Sequence, residues 1–253
     1  MAKIIAFANQ KGGVGKTTTT CAIAAGLKEK GNRVLCVDLD PQSNLSFSVG
    51  ACSEDCATIY DVLKGDVKPL FAIQRAGVFD IISSNILLSG VELEFTQTGR
   101  EYLLKEALAT LTSKYDYILI DTPPALSILT VNAFTAANGI IIPMNADIFS
   151  LQGIAQLSET VDKVRNYCNP NLKLEGIVLT KFNKNTVLSK DILGTAQLIA
   201  QELHTHLFVS TIRSSVAIME AQTNQQSIYE YAPNNNAVMD YKSLVEEMLS
   251  VGI

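Results

Sequence analysis

Short apolar runs alternate with helix-spaced segments along the whole chain. Lys3–Asn9 is an apolar run, followed by a glycine-rich turn and by Lys16–Lys30, whose spacing is helical and which stops before Gly31. Arg33–Asp38 is a second apolar run, ending in acid, and Val78–Ser83 a third. Gly99–Tyr115 reads as a helix, Asp116–Asp121 as a strand, Thr130–Asn138 as a helix and Gly139–Met144 as a strand. Leu151–Cys168 carries apolar residues at 151, 154, 157, 161 and 164, one face of a helix. A strand at Leu174–Thr180, a helix at Leu188–Leu203, a strand at Leu207–Ile212 and a helix at Asn236–Val251 complete the order.

Tyr117–Ile120 and Gly139–Ile142 are apolar throughout, the pattern of strands covered on both faces. The expectation is an α/β fold, a doubly wound, mostly parallel sheet flanked by helices, with ligands at the C-terminal ends of the strands. No linker rich in Gly, Pro or Ser divides the sequence, so residues 1–253 are read as one domain. Composition adds little: 47% apolar and 18% charged residues suit a filled core that needs no staple. A net charge of −5 speaks against a surface that grips nucleic acid all over, and leaves room for a local basic patch. Five cysteines, at 21, 36, 52, 56 and 168, form no regular framework. Cys52 and Cys56 make the one close pair, a weak metal candidate without further ligands. With no leader and no apolar run of membrane-spanning length, a cytoplasmic protein is expected.

The chemistry begins between the first strand and the first helix. In Gly12-Gly13-Val14-Gly15-Lys16-Thr17-Thr18 the Gly-Lys-Thr core of a phosphate-binding loop is present, while Gln10 takes the position of that motif's first glycine. Glycines let successive N–H groups turn inward toward phosphate oxygens, and the helix that follows adds its positive end. Lys16 supplies a mobile charge to the terminal phosphates of ATP, and the Thr17 hydroxyl a ligand to magnesium. Asp38, Asp40 and Asp121 all close apolar strands, at the sheet edge where this loop lies. Carboxylates suit magnesium, and Asp121 is assigned to its shell. Lys11 falls outside the ordinary loop, where its ammonium is placed to reach a partner's nucleotide.

Lys11 through Thr18 resembles the deviant Walker A motif of the ParA/MinD superfamily, in which the extra lysine crosses a dimer interface to the other subunit's ATP. Val34-Leu35-Cys36-Val37-Asp38-Leu39-Asp40-Pro41-Gln42-Ser43-Asn44 is similar to the second acidic motif of ParA/Soj partition ATPases, and Tyr117–Pro124 to their Walker B strand. Ala221, Ser227–Pro233, Asn236-Ala237 and Asp240-Tyr241 resemble their C-terminal region. The resemblance implies a P-loop NTPase fold, hydrolysis of ATP with magnesium, and an ATP-bound homodimer. It implies that Asp40 directs the attacking water, that Asp38 supports the metal's water network, and that Lys11 and Lys16 act with Asp40 in catalysis. It points to Asn183 and Arg213 for adenine.

The same likeness implies nonspecific DNA binding and a ParB-like partner that stimulates hydrolysis, in partition of a chromosome, plasmid or mobile element. Here the sequence departs from the family: Arg213-Ser214-Ser215-Val216-Ala217 replaces a Pro-Arg-Asn-Val-Arg pattern, and Gln226 a basic residue. Arg213, Lys181, Lys184 and Lys190 are the candidates to compensate. The alternative is a ParA-like or MinD-like positioning ATPase for another cargo. A membrane switch needs a basic amphipathic tail, whereas Leu244–Ile253 is acidic and has no Lys or Arg. An iron-protein relative needs interface cysteines, and Cys52 and Cys56 fall in the wrong segment.

Overall fold

The computed structural model describes residues 1–145, 150–183 and 187–253, with the backbone alone at 150–153 and 187–190. The strands are β1 (Lys3–Phe7), β2 (Val34–Asp38), β3 (Ile73–Ala76), β4 (Phe79–Ile82), β5 (Tyr117–Asp121), β6 (Gly139–Asn145) and β7 (Lys173–Thr180). The helices are α1 (Lys16–Glu29), α2 (Asn44–Ser48), α3 (Ile59–Lys64), α4 (Val91–Glu94), α5 (Leu103–Ala109), α6 (Ile128–Ala136), α7 (Ser150–Tyr167), α8 (Val187–Glu202), α9 (Val216–Thr223), α10 (Ile228–Tyr231) and α11 (Asn236–Ser250). The strands form one seven-stranded sheet of order β3-β4-β2-β5-β1-β6-β7, parallel except for β3.

The continuous apolar runs have a simple cause. Ile118, Ile120, Ile140 and Ile142 enter the core on one face of the sheet, and Leu119 and Ile141 enter the core on the other. Side chains alternate along each strand as pleating requires, but both faces are covered, so every position is apolar. The second core holds α1 and α11 together. Gly26 in α1 leaves no room for a side chain: a Cβ there would lie 2.6 Å from Tyr229 Oη and 2.9 Å from Val245 Cγ2. Polar contacts between the same two helices join Thr19 Oγ1 to Tyr241 Oη (3.3 Å), Lys242 to Glu29 (3.3 Å) and Lys30 to Glu246 (2.8 Å).

Two expectations need correction, and one strand was not anticipated. Leu207–Ile212 is not a regular strand. It makes a single bridge, Leu207 to Ile177: Phe208 and Ile212 donate to β7 carbonyls, but the Ser210 N–H between them goes to the Glu247 carboxylate (2.8 Å), which also accepts from Val209 (2.7 Å). The helix expected over Gly99–Tyr115 is α-helical only at Leu103–Ala109, with a 3₁₀ turn before it. β3 was not anticipated: Ile73-Gln74-Arg75-Ala76 has little apolar content, and pairs antiparallel with β4 around Gly77 at φ 57°.

Candidate nucleotide site

α1 begins where β1 ends. Gly13 and Gly15 adopt left-handed φ values of 71° and 83°, which a side chain would strain. A Cβ at Gly12 or Gly13 would meet nothing within 4 Å, so this stretch of loop is open on its outer side. Thr180 at the end of β7 props the loop from behind, donating from Oγ1 to Val14 O (2.8 Å). Asn9 does so from in front: its Oδ1 accepts from Lys11 N (3.0 Å) and its Nδ2 donates to Pro143 O (2.8 Å). The buried Lys16 ammonium donates to Asn9 O (3.1 Å) and lies 3.5 Å from Lys11 O. Burial lowers its pKa, and the charges of Asp121 and Asp40 work against that shift.

Register delivers the carboxylates. Asp38 of β2 sits opposite Asp121 of β5, and Asp121 opposite Phe7 of β1. Asp121 Oδ2 accepts from Thr17 Oγ1 at 2.6 Å, while its Oδ1 is buried with no partner. A hydroxyl and an orphaned buried carboxylate oxygen side by side are a donor set suited to a hard divalent cation. Burial, reinforced by Asp38, raises the Asp121 pKa well above the ordinary carboxylate range. Asp38 is fully buried, and burial raises it to about 6. Its oxygens are committed to protein donors: Oδ1 accepts from Asp40 N (3.1 Å), and Oδ2 from Ser46 N (2.9 Å) and Oγ (2.7 Å). Asp40 is therefore positioned by Asp38, and Ser84 Oγ donates to Asp40 O as well (2.6 Å).

A cavity of about 620 Å³ opens over the loop, within the range of small-molecule sites. Gly12, Gly13, Gly15, Lys16, Thr17, Thr18 and Asp40 line one wall. The opposite wall was not foreseen. It includes Phe47 of α2 and Met219 and Gln222 of α9, and Gln222 Nε2 donates to Thr18 Oγ1 (3.2 Å) across 204 residues of sequence. No spacing rule marks such a contact. Arg213 stands on the rim, but its guanidinium forms a two-point pair with Asp240 (2.7 and 2.8 Å). Asn183 is exposed and outside the lining. Lys181, with a left-handed φ of 52°, donates from Nζ to Gly13 O (2.8 Å). Lys184 and the side chain of Lys190 lie outside the described residues.

A family profile described as an AAA domain matches residues 2–174. The chain is 37% identical to the sporulation initiation inhibitor protein Soj of Bacillus subtilis, covering 100% of both. It is 36% identical to the chromosome partitioning protein ParA of Caulobacter vibrioides, over 98% of this chain and 94% of that one. A solved structure of cobyrinic acid a,c-diamide synthase from Mycobacterium smegmatis, with bound ATP analog and magnesium, matches with a TM-score of 0.85 at 34% identity. That match covers 98% of this chain and 95% of the other. Phosphate loop, strand-end carboxylates and full-length similarity agree: the chain belongs to the ParA/Soj family of P-loop ATPases.

Proposed function

We propose that residues 1–253 act as one Mg-ATP-dependent switch domain. Two subunits pair across their ATP sites, hold DNA without sequence preference, and separate when a ParB-like partner stimulates hydrolysis. The observation that carries this reading is the open outer side of the loop at Gly12 and Gly13, directly beside Lys11. Another subunit's backbone can approach there, and Lys11 then meets the partner's nucleotide while Lys16 holds its own. Magnesium, when bound, neutralises charge on the phosphate oxygens. Thr17 and Asp121 are the residues to hold it, Val14 and Thr18 complete the amide cradle with the glycines, and Asp40 orients the attacking water. Asp38 serves by fixing the Asp40 backbone. Asn183 and Arg213 remain the candidates for adenine, Arg213 on condition that its pairing with Asp240 is kept or exchanged.

The DNA step draws its support from the relatives' names rather than from a basic patch, since Arg213 and Lys181 both have partners within the chain. A lipid surface is disfavoured because α11 buries Val238, Tyr241, Leu244, Val245 and Met248 against the body of the protein. Among the described residues, no helix is long and apolar enough to cross a membrane.

Sedimentation of the Asp40→Ala protein tests the switch. A dimer with ATP and a monomer with ADP are expected, and Lys11→Ala added to that background should bind ATP yet stay monomeric. Equal dimerisation with and without Lys11 would overturn the cross-subunit role. Filter binding of the ATP-loaded dimer to random duplex DNA at two salt concentrations tests the DNA step, with retention that falls as salt rises expected. No retention at low salt would move the reading to a different cargo.

A further inference from the structure

Cys52 and Cys56 take no part in the nucleotide site. They lie in the loop between α2 and α3, Cys52 exposed and Cys56 half-buried. The Gln74 carboxamide of β3 holds them together: Oε1 accepts from Cys52 N (2.8 Å), and Nε2 lies 2.9 Å from Cys52 O and 3.6 Å from Cys56 Sγ. Between them Asp55 takes a left-handed φ of 53°, which turns the chain back on itself. The Cys52 thiol donates to Glu54 O (2.7 Å), inside the same turn, so both sulfurs are held beside the one Gln74 side chain. Among the described residues no group of three or more metal-ligating side chains exists, so a closed metal site is not what this pair builds. An open groove of about 650 Å³, lined in part by Pro41, Glu54 and Cys56, gives a small reagent access to the second sulfur.

We propose that Cys52 and Cys56 are a redox-modification site that closes to an intramolecular disulfide when it meets a low-molecular-weight disulfide. The exposed Cys52 thiolate attacks one sulfur of the reagent and displaces one thiol, leaving a mixed disulfide on Cys52. Cys56 then loses its proton and attacks the Cys52 sulfur, displacing the second thiol. In balance, two protein thiols and one small disulfide become one protein disulfide and two small thiols. The protein loses two electrons and two protons, and the reagent gains them. Cys52 is the exposed thiol of the two and so the point of entry, while burial pushes the Cys56 thiol up to about 11. In a reducing compartment such a bridge is transient, as suits a sensor rather than a staple. Its neighbourhood is consequential. Gln74 Nε2 also lies 2.9 Å from Ser83 Oγ, and the adjacent Ser84 donates to Asp40 O and, from its backbone, to Ser46 Oγ (3.0 Å).

The test is to equilibrate the full chain with mixtures of oxidised and reduced glutathione, quench in acid, and read intact mass and a peptide map. The wild type should lose two of its five thiols, fall in mass by two hydrogens and yield one bridge, Cys52 to Cys56. Cys56→Ser should stop at a glutathione adduct on Cys52, and Cys52→Ser should form no bridge. A wild-type protein that accumulates the Cys52 adduct without closing would overturn the proposal. So would one that keeps both thiols under conditions that oxidise the urea-unfolded chain.

Discussion

On one wall of the cavity, Lys16 and Thr17 are carried by the turn that leaves a strand, and Asp38 and Asp121 are buried at the strand ends next to it. Parallel register fixes them, and the two aspartates are fully buried. On the other wall, Phe47 and Met219 stand on short helices at 57% and 61% exposure, and Gln222 reaches over by one hydrogen bond. The first wall is preorganised by the backbone, and its charges sit in a low dielectric where each one weighs heavily. The second is assembled from side chains that solvent competes for. Substitutions on the first wall should therefore abolish steps, and those on the second should adjust them.

The largest effect is expected for Lys16→Ala. Removing the buried ammonium should weaken binding of a fluorescent ATP analogue at least 100-fold, about 2.7 kcal/mol. Unaltered affinity would mean that the loop's amides alone make the first wall. Next comes Asp40→Ala, which should retain ATP and lose about 10²- to 10⁴-fold in phosphate release. Wild-type turnover there would remove Asp40 from the water-directing role.

Asp38→Asn should alter stability rather than binding. Burial raises Asp38 to about 6 from its ordinary 3.8, so between those pH values the native chain keeps a proton that the unfolded chain has released. Its contribution thus makes stability fall as pH rises from about 4 to about 6, by at most about 3 kcal/mol. Below that window both states are protonated and the contribution is constant. Urea midpoints at pH 4.5 and 7, measured in a chelator, should differ less in Asp38→Asn than in the wild type, the buried Asp121 keeping its own share of the pH dependence. Equal pH slopes in the two proteins would show that Asp38 does not carry the effect.

Gly26→Ala forces a methyl group onto Tyr229 Oη and Val245, and should cost about 1–3 kcal/mol in the urea midpoint. Adding Tyr229→Phe should recover part of that loss by removing the crowded hydroxyl. The smallest effect belongs to the second wall: Arg213→Ala breaks a solvent-screened pair with Asp240 on the rim and should change ATP affinity only a few-fold. A change as large as that for Lys16→Ala would erase the contrast between the walls.

The contrast also accounts for what the sequence discloses. The positions of Lys11–Thr18, Asp38, Asp40 and Asp121 are legible because a local spacing, strand then turn then charge, states where they stand. The apolar runs of β5 and β6 betray two-sided burial in the same way. Gln222 against Thr18, and Glu247 capturing the Val209 and Ser210 amides, are decided by tertiary approach, which no short pattern records. The strand expected at Leu207–Ile212 failed for that reason, since its apolar pattern is right and a distant carboxylate competes for its donors. β3 was missed because an edge strand need not be apolar.

The contact of α1 with α11 has a consequence for how the protein breathes. Thr19 and Tyr241 are 222 residues apart, yet they share a hydrogen bond one helical turn beyond the phosphate loop. Helices so tightly interlocked at Gly26 cannot open separately without exposing Tyr229 and Val245 to water. Their amide protons should therefore exchange with solvent at one common opening free energy, as a single cooperative unit. The lifetime of the phosphate cradle is then tied to α11, whose Tyr241 reaches the cavity from the far end of the sequence.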